Sequence, residues 1–234
     1  MQCAAGRSVC AAVVGGLDFE APEGGGDMTV GTTSDPVRPL DRHDERRHQL
    51  AESALATLGE LGYARTSLRE IAANSEFSHG VVHYYFRDKL DLIVFCVRSY
   101  KARCVRRYDD VVADATTVDE LVTGFADKLC ETLRDEAPMH RLWYDLRTQS
   151  MFEPTLREAV TMIDATLQEM IWRVVSRYAE LAGRPPVTDA SATYALLDGL
   201  FQQALLQHVG GDALVLDRLR GRVVELMPLL LLRG

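Results

Sequence analysis

Three helix-start signals follow one another at Ser67, Ser78 and Asp88, intervals of 11 and 10 residues, and this spacing leaves little freedom in what the segment can become. Ser67 precedes Leu68, Ile71 and Ala72 and has Glu70 three residues on, so hydroxyl and carboxylate can each satisfy a backbone N–H beside the other. Ser78 and Asp88 are the next side chains able to cap a helix. Helices fenced this closely run about two turns, too short to stand alone in water. They must pack on each other and on a neighbour, with Asn74-Ser75-Glu76-Phe77 as the turn between them.

The neighbour lies upstream. Leu50, Ala54, Leu58 and Leu61 form one apolar stripe on a helix from about Asp44 to Leu61, which Gly62 ends as a C-terminal cap. On the third helix, Ser78 to about Tyr85, Val82, Tyr85 and Phe86 face one way and His79, Gly80, His83 and Tyr84 the other. Three short helices, the last two joined by a tight turn, can set one helix in a DNA major groove while another braces it across the backbone. Gly80 lets that helix's backbone come close to a duplex.

Charge divides along the chain in the same sense. The net charge is -8, yet residues 41–107 carry twelve Lys and Arg against nine acids (+3), residues 1–40 two against five (-3), and residues 108–234 twelve against twenty (-8). A docking surface answers to its local field, so a basic segment on an acidic carrier is compatible with phosphate binding.

The rest of the chain implies an all-α protein of about nine helices. Asp88 can cap a long fourth helix through Leu92, Phe95 and Cys96 past Arg103, and further helices are expected at 117–136, 138–151, 153–182, 188–209 and 212–231. Pro138, Pro154 and Pro185-Pro186 stand at their junctions, where a helix start tolerates proline. The organisation expected is a disordered leader at 1–40, a helix-turn-helix domain at 41–90 and a ligand-binding and dimerisation domain at 91–234. Met28 is an alternative start.

Several classes of function lack support. The five cysteines form no C-x-x-C pair, so reduced thiols and a cytoplasmic location are expected. The apolar stretch around Cys10–Val14 is too short to span a membrane. No H-E-x-x-H, P-loop, dinucleotide fingerprint or G-x-S-x-G occurs, and an E-x-x-H formed by Glu76 and His79 straddles a turn. Neither catalysis nor a metal nor a cofactor is expected; a helical small-molecule-binding protein or enzyme without DNA binding is the alternative.

Thr66-Ser67-Leu68-Arg69-Glu70-Ile71-Ala72, followed by Phe77-Ser78-His79-Gly80-Val81-Val82-His83-Tyr84-Tyr85-Phe86-Arg87-Asp88-Lys89, resembles the DNA-binding signature of the TetR family of bacterial regulators, most closely its choline-responsive branch. The likeness covers about 50 residues, from Arg46 to Val97. It implies phosphate contacts at Thr66 and Lys89, with Ser67 alongside, and an operator-facing surface of Ser78, His79, Gly80, Val81, His83 and Tyr84. Glu76 stands where the family usually has glycine; in a left-handed turn a non-glycine residue costs about 1–2 kcal/mol. His79 and His83 stand where the family often has Lys and Tyr, so base preference does not carry over.

The resemblance further implies a repressor released from a palindromic double-stranded DNA operator by a small-molecule effector, and a homodimer through the last two helices. The dimer faces expected are Ala192, Ala195, Leu196, Gly199, Leu200, Gln203 and Leu206, and Leu214, Leu219, Val223, Leu226, Leu229 and Leu230. Aromatic and methionine side chains with a few polar groups line apolar cavities, as they fill cores. The candidates are Phe125, Trp143, Tyr144, Arg147, Met151, Phe152, Met162 and Trp172, with Cys130 and Met170 in the same helices.

Overall fold

The caps place the first elements where the sequence puts them. In a computed structural model that describes residues 42–232, α1 (Arg42–Arg65), α2 (Leu68–Ala73), α3 (His79–Tyr85) and α4 (Lys89–Cys104) follow in order. The expected leader at 1–40 lies outside the described residues. Ser67 N donates to Glu70 Oε2 at 2.6 Å while Glu70 N donates to Ser67 Oγ at 3.2 Å, the reciprocal box foreseen. Ser78 caps α3, and Asp88 caps α4 by accepting Asp91 N–H at 2.8 Å. Gly62 takes φ 76°, a left-handed conformation in which a side chain would be strained, and one further turn carries α1 to Arg65.

Five helices complete the described chain: α5 (Asp109–Asp114), α6 (Val118–Ser150), α7 (Pro154–Ala182), α8 (Ala190–Val209) and α9 (Val215–Leu226), then a 3-10 turn at Met227–Leu230. No strand occurs among the described residues; one isolated bridge pairs Pro186 with Leu231. The two helices expected on either side of Pro138 are one element, α6. Pro138 offers no N–H and crowds the preceding turn, so the backbone gives at Glu136 (φ -127°, ψ 18°) and the helix resumes beyond it. The helix expected to run to 231 tightens at Met227 because Pro228 cannot continue the α-pattern. Helix α5 was not expected.

The core forms around α6, which packs on α1, α7, α8 and α9 and buries Leu121, Phe125, Leu133, Leu142 and Trp143. Helix α1 approaches α6 closely at Gly59, where a Cβ would run into Met139 Cε and Pro138. Arg47 lies over the Phe86 and Phe95 rings, 5.0 and 4.3 Å from their centroids, and clamps α1 onto the α3–α4 junction.

Candidate nucleic-acid interface and effector cavity

Helix α3 is amphipathic in the sense its sequence implies. Val82 is buried, as is Phe86 just beyond the helix, while Ser78, His79, Gly80, His83 and Tyr84 are exposed; Tyr84 shows 73% of its surface. Val81 and Tyr85 are half-buried. The rings of His79 and His83 meet edge-on at 4.5 Å, and nothing lies within 4 Å of where a Gly80 Cβ would stand. The outward surface therefore carries imidazole, phenol and bare backbone, groups able to meet base edges and phosphates.

The two implied phosphate contacts are placed differently. Thr66 is buried and its hydroxyl donates to Gly62 O at 2.7 Å, so this side chain is already engaged inside the protein. Lys89 donates to Tyr63 O and lies 4.2 Å from the Tyr63 ring centroid. Ser67 remains exposed at the start of α2. Tyr63, which Lys89 grips, also donates its backbone N–H to Asp145 Oδ2 on α6 at 2.8 Å, so the end of α1 is tied to both α4 and the carrier.

A cavity of about 60 Å³ lies among α4, α6, α7 and α8, large enough for several waters. Phe125, Leu129, Leu167, Met170 and Phe201 supply apolar walls. Of the eight expected ligand contacts, Phe125, Trp143 and Tyr144 line it. Arg147 stands behind the wall, donating to Asp198 Oδ2 at 2.5 Å and to Asp164 Oδ2 at 3.4 Å, and Asp198 does line the cavity. The other four lie elsewhere. Met151 and Phe152 are exposed in the turn after α6; Met162 is exposed on α7 with Arg98 Nη2 3.6 Å from its sulfur; Trp172 is half-buried against the core without reaching the cavity.

Residues not foreseen give the cavity its polarity. Lys101, in the last turn of α4, is buried with its ammonium 5.2 Å from the Trp143 ring centroid and 5.4 Å from that of Tyr100. Burial pulls its pKa below the ordinary lysine value. Arg107 holds both oxygens of Glu136 at 2.6 and 2.7 Å, and Glu136 also accepts from Tyr100. His140 is buried with Nε2 unpartnered; burial, with the Lys101 and Arg107 charges beside it, keeps it neutral well below the usual histidine range. Trp143 Nε1 has no acceptor. A signal for Lys101 existed in the sequence: it continues the four-residue spacing of Ile93 and Val97 on the buried face of α4.

The expected α8 face is open: Ala192, Ala195, Leu196, Gly199, Gln203 and Leu206 are exposed and Leu200 is half-buried. On α9 and beyond, Leu214 and Leu229 are exposed and Leu226 is half-buried, but Leu219, Val223 and Leu230 are inside the chain's own core. The expected second face mixed two sides of one helix.

An exposed helix on a capped turn, joined by one further helix to a cavity in an all-α carrier, defines a helix-turn-helix regulator with a ligand-binding domain. Residues 50–94 match the family described as "Bacterial regulatory proteins, tetR family", and residues 118–226 match "BetI-type transcriptional repressor, C-terminal". The chain belongs to the TetR family of bacterial regulators, with a C-terminal part of the BetI type. It is 28% identical over 173 residues to the HTH-type transcriptional regulator BetI of Burkholderia mallei, covering 71% of this chain and 85% of that one. Its fold is similar to that of a Saccharomonospora viridis protein solved in complex with choline (TM-score 0.63, 20% identity, 82% of this chain and 100% of that one). It is also similar to the regulator FadR of Bacillus subtilis solved with stearoyl-CoA (TM-score 0.63, 17% identity, 77% and 96%).

Proposed function

We propose that this TetR-family regulator is a homodimeric repressor that grips a palindromic operator through α3 and lets go when a small molecule fills the cavity. The observation that carries the reading is the continuity of α4: only three residues separate it from α3, and its last turn sets Lys101 in the cavity wall. Ser78, His79, Gly80, Val81, His83 and Tyr84 face the operator. Thr66 and Lys89 act by holding the Gly62–Tyr63 corner in shape, and Ser67, exposed at the start of α2, offers its hydroxyl hydrogen to a phosphate.

Two copies meet through the exposed face of α8 beside Leu214 of the following segment, which sets two reading helices on one side of a duplex, about 34–36 Å apart for half-sites one turn apart. An effector that fits one arrangement of the helices better than the other draws α4 with it and changes that separation. A tenfold release requires about 1.4 kcal/mol of differential binding. No helix among the described residues is long and apolar enough to cross a membrane. The reading places the protein in the cytoplasm with its operator, acting by binding and not by catalysis, as its relatives are transcriptional regulators.

Sequencing the DNA that the full chain selects from a random pool tests this. A palindrome whose enrichment is lost in a Tyr84→Ala variant of unchanged thermal stability is the expected result. Selection of no common sequence overturns it.

A further inference from the structure

The cavity has one formal charge without a counter-charge in contact. The one carboxylate in its wall is occupied, as is Glu136 outside the wall: Asp198 accepts from the Tyr144 hydroxyl at 2.9 Å and from Arg147 at 2.5 Å, and Glu136 is held by Arg107 and Tyr100. Lys101 has neither a carboxylate within ion-pair distance nor a hydrogen-bond acceptor among the described residues, only the faces of Trp143 and Tyr100. Beside it stand two further buried groups without partners, Trp143 Nε1 and His140 Nε2, both on residues that line the same cavity. A buried ammonium, a buried indole N–H and a buried imidazole nitrogen left unpaired are costly, and they persist where a ligand completes them.

The same geometry argues against a cationic occupant. A quaternary ammonium binds over aromatic faces, and here the chain's own cations already lie by Trp143 and Tyr144, the aromatic rings nearest the polar end of the cavity: Lys101 over Trp143, and Arg147 5.9 and 5.8 Å from the Trp143 and Tyr144 centroids. A second cation would meet like charge at close range in a medium that screens poorly. An anion would meet a charge-assisted donor and two unfilled neighbours.

We infer that the effector is a small organic acid, its carboxylate held by Lys101 with Trp143 Nε1 and His140 Nε2 as the adjoining polar partners, and its apolar body against Phe125, Leu129 and Phe201. This names the ligand class for the regulator reading and rests on that reading only for its consequence at the operator. Because Lys101 belongs to α4, an acid drawn to its ammonium acts directly on the helix that carries the reading unit.

Calorimetric titration of the full chain with benzoate, phenylacetate, octanoate and choline tests the inference. At least one of the three acids binds, Lys101→Met weakens it at least thirtyfold, and Trp143→Phe, which removes only the indole N–H donor, weakens it three- to tenfold. Choline neither binds nor displaces the acid. Binding by none of the acids, an affinity unchanged in both variants, or displacement by choline overturns the assignment. Gel shifts with the selected operator on the same preparations keep the two readings apart. Operator binding without acid binding sinks the acid alone; lysine-dependent acid binding by a protein that shifts no DNA supports the acid and counts against the regulator.

Discussion

The backbone N–H of Tyr63 donates to Asp145 Oδ2 at 2.8 Å, which joins the last turn of α1 to α6 two residues beyond Trp143 of the cavity wall. Tyr63 O and the Tyr63 ring are at the same time held by Lys89 at the start of α4. The reading unit is thus fastened to the carrier at one corner by groups from both sides. Asp145→Ala is expected to lower folding stability by about 1.5–3 kcal/mol, the range for a hydrogen bond to a charged group. It is also expected to reduce the effect of any effector on operator affinity; urea denaturation and gel shifts with and without effector measure the two.

Gly62→Ala is expected to lower stability by about 1–2 kcal/mol, since alanine at φ 76° sets its Cβ against the carbonyl and 3.3 Å from Asp145 Oδ2. Thermal denaturation reads this directly, and Gly80→Ala, with open space around the Cβ, serves as the comparison with little loss.

Tyr84→Ala and His83→Ala, both at exposed positions, should change folding stability by no more than about 0.5 kcal/mol. Operator affinity should fall by about 1–3 kcal/mol for each base left without its side-chain partner. Equal losses of stability and of binding would show that α3 supports the fold and not the reading of DNA.

Burial, with the Lys101 and Arg107 charges nearby, holds the folded-state pKa of His140 well below 6.5. The unfolded chain takes up a proton near 6.5 and the folded chain does not, so stability falls as pH drops below 6.5. The slope is about 1.4 kcal/mol per unit until the folded value is reached. His140→Leu removes this acid sensitivity, checked by denaturation midpoints across that range.

Burial also lowers the pKa of Lys101, and here the sign is opposite: the folded state disfavours the charged form. The penalty is present in full below the lowered value and fades as pH rises toward 10.5. Lys101→Met is therefore expected to stabilise the ligand-free protein at neutral pH by about 1–4 kcal/mol, with the gain fading in alkali. A melting-temperature series against pH measures it.

The reading helices were legible because their signals are local. The Ser67, Ser78 and Asp88 caps and the left-handed Gly62 each act within a few residues, and the structure has all four. The cavity was legible only in part, because its walls meet across long stretches of chain. Trp143 and Tyr144 read as aromatic candidates and do line it, whereas Met151 and Phe152, alike in composition, fall past the end of α6 where no neighbour covers them. Lys101 was missed because a lysine reads as solvated unless its phase on the helix is followed, and the burial of Thr66, named as a phosphate contact, was not legible because its hydroxyl satisfies a carbonyl four residues back. Pro138 marked a true discontinuity, but neighbouring helices on both sides hold α6 together across it.

Between Lys89 and Lys101, α4 runs about 18 Å without a break, and among the described residues α3 and the cavity share no other continuous element. On the proposed reading, substitutions in α7 and α8 alter the molecule sensed and substitutions in α3 alter the promoter governed, largely independently. Substitutions within Lys89–Cys104 are the exception on that reading, for this helix adjoins both α3 and the cavity wall.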